Sequence, residues 1–130
     1  MPSPVEKLIL VVDDEPSVRE VLVSFFQHDY VPRGYVVETA ANGDDALAVV
    51  RRRRPALVLL DIEMPGMGGV EALRGIHTVD RRIPVIIVTG NENTRIAGDV
   101  IKDGAFSYLP KPVRFRYLDH LVAAALRAGP

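Results

Sequence analysis

Asp13 and Asp14 follow the apolar run Leu8–Val12, and Asp61 follows Leu57–Leu60. Thr89 and Gly90 come directly after Val85–Val88, and Lys111, between Pro110 and Pro112, comes just past Ala105–Leu109. Three acids, a hydroxyl and an amine therefore each stand at the end of a short apolar stretch. Three carboxylates gathered in one place repel each other, so such a cluster persists only if something positive joins it. No histidine or cysteine is near in sequence, and an all-oxygen donor set suits a hard divalent ion, Mg²⁺ ahead of Zn²⁺. Magnesium keeps several waters and pairs readily with phosphate oxygens, and a carboxylate beside it can attack phosphorus to give an aspartyl phosphate. Phosphoryl transfer also asks for positive charge over the equatorial oxygens, which the Lys111 ammonium carries. The Thr89 hydroxyl can donate a hydrogen bond to a phosphoryl oxygen, Gly90 leaves space beside it, and backbone N–H groups near Ile62 and Glu63 suit an anion cradle.

The elements that must position these groups are legible from apolar periodicity. The runs Leu8–Val12, Val36–Ala40, Leu57–Leu60, Val85–Val88 and Ala105–Leu109 read as strands. Several are apolar throughout, as in a parallel sheet covered on both faces, while Glu38 places the second nearer an edge or end. Val18, Leu22, Phe25 and Phe26 form a helical stripe with Pro16 in its first turn. Asn42 followed by Asp45 marks a second helix start, with Ala46, Leu47 and Val50 inward. Val70, Leu73 and Ile76 mark a third helix; Thr94–Lys102 is a fourth, weakened by Gly98; Leu118, Leu121, Val122 and Ala125 build a fifth. Five strand–helix repeats predict a doubly wound α/β sandwich. Right-handed crossovers then bring the strand C-terminal ends to one edge, where open α/β folds bind ligands.

Composition narrows the function classes. A chain of 130 residues, 48% of them hydrophobic, predicts one domain with a real core. A net charge of -1 gives no polycation for nucleic acid or an anionic membrane; the one dense basic run is Arg51–Arg54. The absence of cysteine excludes disulfides and thiolate chemistry. The opening residues carry neither a signal-peptide pattern nor a membrane-length apolar run, so a soluble, cytoplasmic domain is expected.

Each candidate has an ordinary explanation as well. Asp13 and Asp14 could cap the helix that begins near Pro16. Lys111 alone is a solvent-facing charge, although two flanking prolines make a stiff support for a long side chain. Thr89 could be a plain β-branched strand residue, and Tyr108 a half-buried core ring. Gly66, Gly68 and Gly69 are most simply turn formers, and no GxxxxGK[ST] or GxGxxG sequence supports nucleotide binding. The four arginines read as a wet helix end. His28, His77 and His120 have no metal-ligand spacing.

Taken together, VVDDEPSVRE (Val11–Glu20), LLDIEMPGMGGVEAL (Leu59–Leu73), PVIIVTG (Pro84–Gly90) and GAFSYLPKPV (Gly104–Val113) resemble a response-regulator receiver domain of two-component signalling, the CheY-like superfamily. The resemblance spans nearly the whole chain and implies a single domain over residues 1–130 with a core of about 6–128. It also implies a flavodoxin-like fold: five parallel strands in the order 2-1-3-4-5 with five helices. It makes Asp61 the phosphoacceptor, and Asp13 and Asp14 the acid pair that holds Mg²⁺ with Asp61 and the Glu63 backbone carbonyl. Thr89 and Lys111 become the hydroxyl and amine that meet the phosphoryl group, Tyr108 the aromatic switch, and Lys111–Pro112 a cis bond. Glu63 and Asn91 occupy positions that influence phosphoryl lifetime. The implied partners are a histidine kinase or histidine phosphotransfer protein and a downstream effector docked on the face of the fourth helix, fifth strand and fifth helix. The resemblance also leaves room for a weak or phosphorylation-dependent homodimer. The connection QHDYVPRGY (Gln27–Tyr35) is a few residues longer than the family's usual one.

Two other functions share this chemistry. A Mg²⁺-dependent aspartyl-phosphate phosphatase or phosphotransferase needs an acid two residues past its nucleophile, which Glu63 supplies, and a substrate cap, for which no insertion is long enough. A degenerate receiver acting only as a binding module does not fit five intact site residues. Direct DNA binding lacks a basic, aromatic-interleaved segment.

Overall fold

The computed structural model describes residues 6–64, 66–90 and 94–129, without the side chains of residues 94 and 95; Pro65 and Asn91 lie outside the described residues. Strands β1 (Lys7–Val12), β2 (Tyr35–Ala40), β3 (Leu57–Leu60), β4 (Val85–Thr89) and β5 (Ser107–Pro110) alternate with helices α1 (Pro16–Asp29), α2 (Gly43–Arg52), α3 (Gly69–Val79), α4 (Thr94–Lys102) and α5 (Phe115–Ala128). All strand pairs are parallel, in the order β2-β1-β3-β4-β5, which bears out the expected fold.

Side-chain alternation explains why the strands are apolar throughout. Leu10, Val12, Val58, Leu60, Val85 and Ile87 face one core with Ala46, Leu47 and Val50 of α2, Ala72, Leu73 and Ile76 of α3, and Val100 of α4. Ile9, Val11, Leu57, Leu59, Ile86 and Val88 face the other, against Leu22 and Phe26 of α1 and Leu118, Val122 and Ala125 of α5. Every residue of β3 and β4 is buried, and β2, at the edge, is partly exposed. Burying one such aliphatic side chain stabilises the fold by about 1.5–3 kcal/mol. Among the described residues, no helix is long and apolar enough to cross a membrane.

The long connection resolves into structure of its own. Helix α1 stops at Asp29, residues Val31–Arg33 make a 3-10 turn, and Gly34 takes φ 97° before β2. Tyr30 is 1% exposed, packs against Phe25, Phe26 and Tyr35, and donates its hydroxyl to Asp119 of α5 at 3.0 Å.

The start of α2 is as expected, since Asn42 Oδ1 accepts the Asp45 N–H at 2.8 Å. The arginine run is largely exposed, as expected of a wet helix end, and three of its members also find partners. Arg52 pairs with Glu38 at 3.0 Å, Arg53 donates to the Glu6 carbonyl, and Arg54 lies 3.8 Å from Asp80. Strand β5 begins two residues later than its apolar run. Gly104 at φ 103° ends α4, and the Ala105 N–H still closes onto the Val100 carbonyl at 2.9 Å.

Candidate functional site

Register places the two buried acids side by side. Val12 pairs with Leu60, so Asp13 and Asp61, each the next residue, leave adjacent strands at the same level. This is where the chain order reverses: β1 connects outward to β2, and β3 lies on its other flank. The crevice at such a switch point is where open α/β sheets bind ligands. Thr89 ends β4 opposite Pro110, and its carbonyl accepts the Lys111 N–H at 2.9 Å, which fixes the start of the lysine loop. The Lys111–Pro112 bond is cis.

Asp13 and Asp61 are 1% and 3% exposed, an unusual situation for carboxylates unless they are paired. Lys111 Nζ pairs them, at 2.9 Å from Asp13 Oδ2 and 3.4 Å from Asp61 Oδ2. The other oxygen of each acid accepts the N–H two residues on, Glu15 for Asp13 and Glu63 for Asp61, both at 3.0 Å. Arg19 of α1 donates to the Asp13 carbonyl at 2.6 Å. Burial pushes the Asp61 pKa up and the Asp13 charge adds to this, while the Glu63 N–H and Lys111 work against them. For Lys111, burial disfavours the ammonium, but its bond to Asp13 and the charges of Asp61 and Asp13 outweigh that, leaving its pKa raised.

The capping explanation for Asp13 and Asp14 does not hold. The N-cap of α1 is Glu15, no side chain caps it, and Asp13 turns its Oδ1 onto the Glu15 N–H. Asp14 is half-buried, with a carboxylate oxygen within 4.8 Å of those of Asp13 and Glu15. These three residues could coordinate a divalent ion, and their all-oxygen, acid-rich donors fit a hard cation rather than a thiophilic one. Glu63 contributes its N–H to the site, and its side chain is exposed. Thr89 is fully buried, and Tyr108 is half-buried against the core face that includes α3 and α4. His28 pairs with Asp29 on the surface, His77 Nε2 lies 2.9 Å from the Ile83 carbonyl, and His120 is exposed on α5.

Two contributors escaped the sequence reading. Glu15, the third acid in the run Asp13-Asp14-Glu15, lies 4.0 Å from Lys111 Nζ. Gly69 is more than a turn former: a Cβ there would come within 2.6 Å of the Asp61 carbonyl oxygen and meet Ile62 Cα as well. Its N–H bonds the Ile62 carbonyl at 3.0 Å, so the loop after Asp61 folds back tightly on the start of α3.

A family profile described as response regulator receiver domain matches residues 9–123. The transcriptional regulatory protein AfsQ1 of Streptomyces coelicolor is 34% identical over 121 residues, which cover 93% of this chain and 52% of AfsQ1. Sporulation initiation phosphotransferase F of Bacillus subtilis is 38% identical over 104 residues, 80% of this chain and 81% of that protein. A CheY-like receiver domain structure from Methanospirillum hungatei superposes with a TM-score of 0.86 at 30% identity, covering 95% of each chain. The chain thus spans about half the length of AfsQ1 and most of the Bacillus protein.

Proposed function

This chain belongs to the response-regulator receiver family, and from that premise we propose that Asp61 is its phosphoacceptor, served by Thr89 and Lys111. The family acts in two-component phosphorelay signalling, and a receiver promotes chemistry on its own aspartate rather than turning over an external ester. The observation that carries the assignment is the shared lysine: two buried carboxylates on adjacent strands hold one ammonium between them.

Asp13, Asp14, Asp61 and the Glu63 carbonyl are the proposed Mg²⁺ ligands. When bound, Mg²⁺ supplies positive charge that shields the carboxylates and the incoming phosphoryl oxygens. The Glu63 N–H on Oδ1 holds the Asp61 carboxylate in one orientation. An Asp61 oxygen attacks phosphorus, an O–P bond forms, and the bond to the donor's imidazole nitrogen breaks with its electron pair staying on nitrogen. The donor is a histidine kinase or histidine phosphotransfer protein. Lys111 then pairs with a phosphoryl oxygen, and the Thr89 hydroxyl donates to another. Movement of Thr89 gives Tyr108 room to change rotamer, which shifts the population between two packings.

The proposed output face is α4–β5–α5, where an effector docks or a weak, phosphorylation-dependent homodimer forms. Exposed Ile101, Phe106 and Tyr117, on α4, just before β5 and on α5, support that reading. A cytoplasmic location, one domain with a core of about 6–128, and no direct contact with nucleic acid or membrane complete the proposal.

Incubation with Mg²⁺ and a small acyl phosphate, followed by intact mass measurement, tests the assignment. One added phosphoryl group is expected, absent with EDTA and absent in Asp61→Asn. Undiminished labelling of Asp61→Asn would remove Asp61 from its role.

A further inference from the structure

The two buried carboxylates use their oxygens in the same way. Each Oδ1 accepts a backbone N–H two residues on, and each Oδ2 faces Lys111. The ammonium therefore occupies the two side-chain oxygens that the turns leave over. Any further cation drawn to Asp13 and Asp61 competes with Lys111 for them, and a displaced ammonium needs another counter-charge close by.

Glu15 meets that need. Its Oε1 lies 4.0 Å from Lys111 Nζ, within ion-pair reach but beyond hydrogen-bond length. Its side chain is 61% exposed and makes no capping bond to α1, although the residue holds the N-cap position. Its backbone is pinned by the N–H bond to Asp13 Oδ1, so the side chain swings from a fixed base at the mouth of the site. Lysine, a point charge on a flexible stem with three rotatable donors, can exchange partners by rotamer changes alone.

We propose that Glu15 is a positioning residue for Lys111, receiving the ammonium when Asp13 and Asp61 take up a divalent cation and keeping it within reach of Asp61. This rests on the reading of Asp61 as the acceptor. Glu15 then matters because Lys111 has to leave Asp13, and without that lysine it loses most of its effect. An acid that merely coordinates the cation, or acts on it through its charge, behaves alike with and without Lys111.

A double-mutant cycle separates these cases. Mg²⁺ affinity is measured by calorimetry, with no phosphodonor present, for the unsubstituted protein, Glu15→Gln, Lys111→Met and the double variant. Lys111→Met is expected to bind Mg²⁺ more tightly, having lost the competing ammonium. Glu15→Gln is expected to weaken binding about threefold when Lys111 is present, the scale of an exposed ion pair, and to have little effect in Lys111→Met. Equal weakening in both backgrounds overturns the proposal, as does no weakening in either. Lys111→Gln, which keeps a polar side chain of similar reach without the charge, replaces Lys111→Met in the cycle should that variant fail to fold: a Glu15→Gln effect that disappears with it supports positioning, and an equal effect with and without Lys111 overturns it. Acyl-phosphate labelling of the unsubstituted protein keeps the two readings apart. Normal labelling with a flat cycle removes only the Glu15 role, whereas absent labelling removes the acceptor assignment.

Discussion

At the scale of single residues, Asp61 carries an electrostatic burden for the fold. Its pKa is raised, with burial as the leading cause, so the folded state binds its proton more tightly than the unfolded chain does. By linkage, stability from this group is greatest below the ordinary value of 3.8 and declines as pH rises through the higher folded value. At neutral pH the ionised carboxylate is therefore a net load in the metal-free protein. Asp61→Asn is expected to unfold at higher urea concentration than the unsubstituted protein at pH 7 in EDTA, with the gap narrowing as pH falls toward 4. Lys111 has the opposite effect, because removing it leaves two buried carboxylates facing each other. Lys111→Ala is expected to lose about 3 kcal/mol, the lower end for breaking a buried pair, measured by the same urea titration. Equal midpoints for Lys111→Ala and the unsubstituted protein would show that solvent already screens the pair.

At the scale of elements, two connections decide how the site is held. The β3–α3 turn closes against Gly69, where a methyl group has no room beside the Asp61 carbonyl and Ile62 Cα. Gly69→Ala is expected to lose about 2–3 kcal/mol, as overpacked positions do, and to slow acyl-phosphate labelling because the Asp61 turn must shift. Normal labelling in a destabilised variant would detach the turn's geometry from the chemistry. The α1–β2 connection buries Tyr30 and ties it to Asp119 across 89 positions of sequence. Tyr30→Phe keeps the ring and drops one hydrogen bond, for an expected loss of about 1 kcal/mol. Burial and the bond to Asp119 push the Tyr30 pKa up to about 12. Its share of stability is complete below pH 10 and is lost as pH rises through about 12, so the difference between Tyr30→Phe and the unsubstituted protein should narrow across that window.

At the scale of the whole molecule, the sheet is a frame that brings Asp13, Asp61, Thr89 and Lys111 to one edge. Two cores, one on each face, fix β1, β3 and β4 in register, and the register in turn fixes Asp13 beside Asp61. A cation held at that edge by the folded state alone must stabilise the entire domain. Mg²⁺ at ten times its dissociation constant is expected to add about 1.4 kcal/mol to unfolding and to raise Tm, an effect that EDTA reverses. Asp13→Asn/Asp14→Asn should abolish the rise, and a rise that survives this double substitution would locate the binding elsewhere.

The sequence by itself determined the five strand–helix repeats, the inward stripes such as Ala46, Leu47 and Val50, and the acids, hydroxyl and lysine at the strand ends. It could do so because apolar periodicity and strand termination are local properties, written in consecutive residues. Only the tertiary structure decided that Asp13 declines to cap α1, that Glu15 stands within ion-pair reach of Lys111, that Gly69 has no room for a side chain, and that Tyr30 finds Asp119. Each of these depends on distances between groups brought together by packing, and a period of 2 or 3.6 residues gives the face a side chain takes but not the atom it meets there.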